Sequence, residues 1–187
     1  MKNNRKYALI IGMTIIALIA SIEIIIKMND NPEESIIRKF LKEYYTIDDR
    51  ELNSASIFDA DNDQNISEND SIDTKVNYLN DEISKYQNLL GSKCLNAFIN
   101  NRRILLNNKF ASENHCTLSV KKQKIEYQGK TADGSSNYGF TVYVEALYKD
   151  STKKSTSFTG KIKMGKIDGK SMITGFDSSS FDNNYNF

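Results

Sequence analysis

Asp59, Asp61, Asp63, Asn65 and Asp70 place oxygen-bearing side chains along one short stretch of the chain. Ca2+ takes six to eight oxygen ligands, and carboxylates at alternate positions can wrap a chain around one ion. With Asp59 as position one, oxygen side chains fall at positions one, three, five, nine and twelve, and Ile66 stands at eight. Asp59, Asp61, Asp63 and Asp70 would then supply carboxylates and Asn65 its backbone carbonyl. The surrounding segment, Asp48 to Asp73, is rich in Asp, Asn and Ser throughout. Such composition produces this spacing by itself, so the competing reading is a solvated loop between two helices.

The stretch resembles an EF-hand loop, or the dockerin version that ends in aspartate. Its sixth position is Gln64, where that motif needs glycine. A non-glycine there must adopt a left-handed backbone or let the loop open. No metal ligand is therefore assigned. The remaining chemistry is sparse. His115 is the sole histidine, which excludes a multi-histidine metal centre and leaves one candidate base for a histidine-dependent triad. Ser112 and Glu113 lie near it, but a loop histidine before a strand reads as an exposed residue. Cys94 and Cys116 are the two cysteines. They could pair outside a membrane or stand as separate core thiols, and their spacing is not that of a zinc site. No Gly-rich phosphate loop and no Gly-x-Ser-x-Gly elbow occurs. Catalytic, cofactor-binding and metal-binding residues are each expected to be none, with no cofactor and no enzyme activity.

The N-terminus sets the setting. Lys2, Arg5 and Lys6 precede an apolar run from Tyr7 to Ile22, followed by Glu23, Ile24 to Ile26 and Lys27. About 20 residues of helix span a bilayer core of roughly 30 Å, and cations at the short end hold that end in the cytoplasm. A cleaved signal peptide has a shorter apolar core that ends at a small-x-small site. The run here is longer and rich in isoleucine, so an uncleaved anchor is expected. The expected division is residues 1–6 cytoplasmic, 7–27 transmembrane, 28–176 one extracytoplasmic domain and 177–187 a loose tail. The chain would be single-pass in the cell membrane, with its C-terminal domain outside.

Charge is uneven along the chain. Met28 to His115 carries 10 Lys/Arg against 16 Asp/Glu, a net of −6, and Cys116 to Lys170 carries 11 against 5, a net of +6. Two solvated faces of one fold account for this; a surface for an anionic partner is the sharper alternative. The run Lys121-Lys122-Gln123-Lys124 is too short to single out nucleic acid, and no direct nucleic-acid contact is expected.

The elements follow from periodicity. Asn31 can cap a first external helix, Pro32 suits its first position, and Glu33 and Glu34 complement its dipole. Ile36, Ile37, Phe40, Leu41, Tyr44 and Tyr45 form one apolar stripe. Val76, Leu79, Ile83, Tyr86 and Leu90 mark a second helix ended by Gly91. Ser92 can cap a third, with Leu95, Phe98, Ile99, Leu105 and Leu106 inward. After Asn114 the period becomes two. Cys116, Leu118 and Val120 face one way and Ile125 and Tyr127 fall on opposite parity, so a bulge is expected between Lys121 and Lys124. Tyr138 to Tyr148 forms a second strand, Phe158 to Met164 the inner face of a third, and Met172 to Phe176 a fourth after an Asp168-Gly169 turn. The predicted fold is α+β: about three helices packed on one face of a curved four-stranded antiparallel sheet.

A short cytoplasmic tail, one membrane helix, the aromatic helix Phe40-Leu41-Lys42-Glu43-Tyr44-Tyr45 and long hairpin strands together resemble the bitopic assembly component of type IV secretion and conjugation systems. That resemblance implies the cone of the nuclear transport factor and cystatin-like folds. It also implies a non-catalytic scaffold that contacts other envelope and secretion-channel proteins, self-associates, and works in a Gram-positive cell. The same cone hosts other activities. An anchored ligand-binding or regulatory module, calcium-binding included, is the alternative. An isomerase or dehydratase using Tyr127, Tyr143, Tyr148 and Glu145 is a third reading.

Overall fold

The computed structural model describes residues 31–55 and 68–178. The anchor over residues 7–27 and most of the acidic loop, Asp59 to Ser67, lie outside the described residues. Among those described, no helix is long and apolar enough to cross a membrane.

Helix α1 (Pro32–Tyr45) starts as its sequence dictates: Asn31 Oδ1 accepts the Glu33 N–H at 3.1 Å, satisfying one of the donors that a helix start leaves open. Its stripe buries Ile37, Phe40, Leu41, Tyr44 and Tyr45. Helix α2 (Asp49–Ala55) occupies part of the segment expected to be loop. Its start is a reciprocal cap. Asp48 Oδ1 accepts the N–H groups of Arg50 at 2.9 Å and Glu51 at 3.0 Å, and Glu51 accepts the Asp48 N–H at 3.2 Å.

Helix α3 (Glu68–Tyr86) turns the expected stripe inward except at Val76: Tyr86 is buried, and Leu79 and Ile83 pack against the core. Val76 is 50% exposed, whereas Tyr78, Glu82 and Tyr86 are buried. Tyr78 and Glu82 stand eight and four residues before Tyr86, so the buried side of the helix extends beyond the expected stripe to take them in. The helix ends at Tyr86, short of Gly91. Leu89 and Leu90 close a turn onto the Tyr86 carbonyl, and Gly91 caps helix α4 (Ser92–Asn100) instead. The expected third helix is three pieces: α4, a 3-10 turn over Arg103–Leu105, and α5 (Leu106–Glu113). Arg102, at φ 54°, makes the break. The five α-helices among the described residues thus exceed the three expected.

Strands β1 (Cys116–Lys130), β2 (Ser136–Tyr148), β3 (Lys153–Ile167) and β4 (Lys170–Ser178) form one antiparallel sheet in the order β1-β2-β3-β4. β4 runs two residues into the segment expected to be tail. The β1–β2 register shifts between Val120 and Lys122, leaving Lys121 unopposed. This is the expected bulge: it returns Ile125, opposite Phe140, to the face carrying Cys116 and Leu118. The Asp168-Gly169 turn has φ of 51° and 78°, the two left-handed residues that a tight hairpin requires.

Both sheet edges are closed by short pairings. Ile47 exchanges two 2.9 Å hydrogen bonds with Leu118 on β1, while Gly91 and Leu89 bond Ile173 on β4 at 2.8 and 2.9 Å. Each covers part of an edge that would otherwise present open backbone groups.

The inner face of the sheet (Leu118, Tyr138, Phe140, Val142, Val144, Phe158, Ile162, Met164 and Ile173) shares one core with α1, Tyr86, Phe98 and Ile104. Rings fill its centre. Phe40 meets Phe176 at 4.9 Å, Tyr44 meets Phe98 at 5.2 Å, and Tyr45 stacks on Phe158 at 5.0 Å. Such offset and edge contacts add to the burial of apolar area.

Candidate functional site

Strand parity sends the other half of the sheet's side chains outward. Opposed positions line up in rows: Lys122–Tyr143–Ser157, Lys124–Thr141–Thr159, and Glu126–Gly139–Lys161. Among the described residues no helix packs on this face. Lys124 lies over the Tyr143 ring at 6.0 Å, an arrangement that favours a cation on an aromatic face. A shallow depression of about 360 Å³ beside Tyr143 is lined by Lys121, Ser155, Thr156 and Ser157. Part of the basic strand half noted in the sequence therefore lies here, with hydroxyls and a ring between Lys122, Lys124 and Lys161. Glu145 bridges Lys121 at 3.0 Å and Lys153 at 3.4 Å. The Lys121 hydrogen bond holds its carboxyl below the usual range.

The acid–base candidates are not brought together. Tyr143 and Glu145 are on the outer face, Tyr127 is 55% exposed, and Tyr148 lies near the far end of β2 from Tyr127's partner, Tyr138. His115 is exposed at φ 49° in the turn into β1. Cys94 and Cys116 are free thiols, which settles the open choice in favour of two separate cysteines. Burial raises the Cys116 thiol to about 11 and raises Cys94 as well, against the opposing charge of Arg103. Among the described residues, no group of three His, Cys, Asp or Glu side chains is placed to hold a metal ion. Asp70 lies in the first turn of α3, and the rest of the acidic ligand ladder falls outside the described residues.

One cluster escaped the sequence reading. Glu82 is buried, and its carboxylate pairs with Lys85 at 2.6 Å; Lys85 also binds Glu51 of α2. Burial raises the Glu82 carboxyl above its ordinary range, against the Lys85 hydrogen bond that lowers it. Burial works to lower the Lys85 ammonium, but its bonds to Glu51 and Glu82 outweigh that and leave it raised. Nearby, Asn108 Nδ2 donates to the Tyr78 hydroxyl, and Asn107 Nδ2 donates to the Tyr44 carbonyl. The cluster ties α2, α3 and α5 together. The signal for it is Tyr78, Glu82 and Tyr86 at helical spacing with Lys85 beside them.

No family model matches the chain, and no curated protein matches it in sequence. Among solved structures, a periplasmic fragment of TraM is similar over 55% of this chain and 81% of that one, at 14% identity and a TM-score of 0.35. A likeness of that size assigns the chain to no family.

Proposed function

We propose that this chain is a non-catalytic, membrane-anchored scaffold of a type IV secretion or conjugative transfer channel. It acts by protein contacts outside the membrane, on a domain of the nuclear-transport-factor type. The observation that carries the reading is the division of labour between the two faces of the sheet. The inner face is filled by rings, where a catalytic cone would hold a pocket. The outer face stays open, with Lys, Ser, Thr and Tyr side chains in ordered rows. The cations of Lys2, Arg5 and Lys6 before a long apolar run support anchoring with the domain outside. The helix-first order and the four-stranded meander agree with the resemblance to the bitopic assembly components.

The test is topology combined with co-purification. With epitope tags at both ends, protease added to intact wall-stripped cells should remove the C-terminal tag and spare the N-terminal one. The detergent-solubilised full chain should bring down other envelope proteins. A protected C-terminal tag, or recovery of the chain alone, would overturn the proposal.

A further inference from the structure

A cleft of about 270 Å³ separates α4 from β4, and its lining includes Lys93, Ala97, Phe98, Asn101, Arg103 and Phe176. Its chemistry is divided. Phe98, Ala97 and Phe176 make an apolar wall, while Arg103, Lys93 and Asn101 supply cationic and amide donors. Arg103 is the best-placed donor. The left-handed backbone of Arg102, at φ 54°, turns it back over β4. There its Nη1 donates to the Phe176 carbonyl at 3.4 Å, and its guanidinium lies 5.7 Å above the Phe176 ring. A guanidinium carries five N–H donors in a planar fork that matches a carboxylate. The acid opposite it is Asp177, at 3.7 Å and with a side chain 82% exposed. That distance is a loose contact compared with a charge-assisted hydrogen bond. Asp177 thus holds a carboxylate near the fork without filling the cleft beneath it.

We propose that the α4–β4 cleft binds a small organic carboxylate with a ring-sized apolar tail, the carboxylate on Arg103 and the tail against Phe98 and Ala97. Size limits the class: the volume lies below the ~300–1,000 Å³ of clefts that take drug-sized ligands. The head group is read from what already faces the fork: the group opposite Arg103 is a carboxylate, that of Asp177, which a planar guanidinium matches. The bound acid displaces Asp177 to solvent. This site is independent of the scaffold reading, since it lies at the α4 edge of the sheet and not on the open face.

Saturation-transfer NMR on the detergent-solubilised full chain tests it, with 3-phenylpropionate as probe and 3-phenylpropanol as the uncharged control. The acid should bind with a dissociation constant on the order of 1 mM, and the alcohol should not. Asp177→Asn removes the competing carboxylate and should tighten binding about threefold, within the reach of a single exposed ion pair. Arg103→Met and Ala97→Leu should each abolish binding; the second fills the cleft without altering charge. Asp177→Asn and Ala97→Leu change exposed residues, so they remain informative if Arg103→Met fails to fold. No transfer to the acid, equal transfer to acid and alcohol, or binding unchanged by Asp177→Asn or by Ala97→Leu would each overturn the proposal.

Discussion

Replacing Lys85 with methionine removes the cation from a cluster that holds two carboxylates. Glu82 is the partner at risk: its side chain is 4% exposed, against 24% for Glu51 and 26% for Lys85 itself. Breaking a buried pair on one side costs about 3–5 kcal/mol, because an uncompensated charge stays in a poorly solvated place. Solvent reaches Lys85 and Glu51 in part, which brings the expected loss for Lys85→Met to about 2–3 kcal/mol at pH 7.5. The pH dependence gives the sharper test. Glu82 already has a raised carboxyl in the folded state, and without Lys85 it rises further. A carboxyl raised in the folded state binds its proton more tightly there than in the unfolded chain, so stability increases as pH falls through that range. The variant should therefore recover part of its loss at pH 5.0. Lys85, also raised in the folded state, has the same sign but acts in a far more alkaline range. Its contribution is complete below the ordinary lysine range and fades only as pH climbs through its folded value. Urea unfolding followed by near-ultraviolet circular dichroism of the buried tyrosines measures both. A loss below about 0.5 kcal/mol, the usual effect of a surface substitution, or one equal at the two pH values, would refute the reasoning.

The natural hydrogen at Gly160 fits where a methyl would run into the Asp177 carbonyl oxygen and the edge of the Phe140 ring. Gly160→Ala should cost about 2–3 kcal/mol by overpacking, read as a lowered urea midpoint; a change within experimental scatter would mean that the β3–β4 pair is looser than described. The two thiols predict slow chemistry. Cys94 is partly buried and Cys116 buried, so an aromatic disulfide reagent at pH 7.5 should label Cys94 first and Cys116 only on unfolding, and reductant should leave the melting temperature unchanged. Rapid labelling of Cys116 in the folded chain, or a drop in melting temperature on reduction, would contradict this.

The strands were legible because period-two alternation is a strong signal where one face is buried, and β2 carries it without interruption from Phe140 to Ala146. The bulge at Lys121 was legible for the same reason, since parity changes across it. The first helix announced itself through Asn31, Pro32 and the stripe ending at Tyr45. The middle helices were harder. Val76 looks like core by hydropathy, but Glu82 reaches the interior because Lys85 and Glu51 accompany it, and that pairing crosses two helices separated by 34 residues between partners. Helix α2 was hidden in a polar segment, although Asp48-x-x-Glu51 is a capping pattern. The break at Arg102 has no glycine or proline to mark it. The outer face was anticipated from the parity of Tyr143 and Glu145, but the α4–β4 cleft depends on where the broken helix places Arg103, and no local pattern carries that.

Photo-crosslinking in living cells tests the central claim most directly. A benzophenone amino acid is placed at Tyr143, in the middle of the open sheet face, and separately at Lys109, exposed on α5. Adducts with other envelope proteins are expected from position 143 and none from position 109. Adducts confined to position 109, adducts with cytoplasmic proteins, or none from position 143 would contradict it.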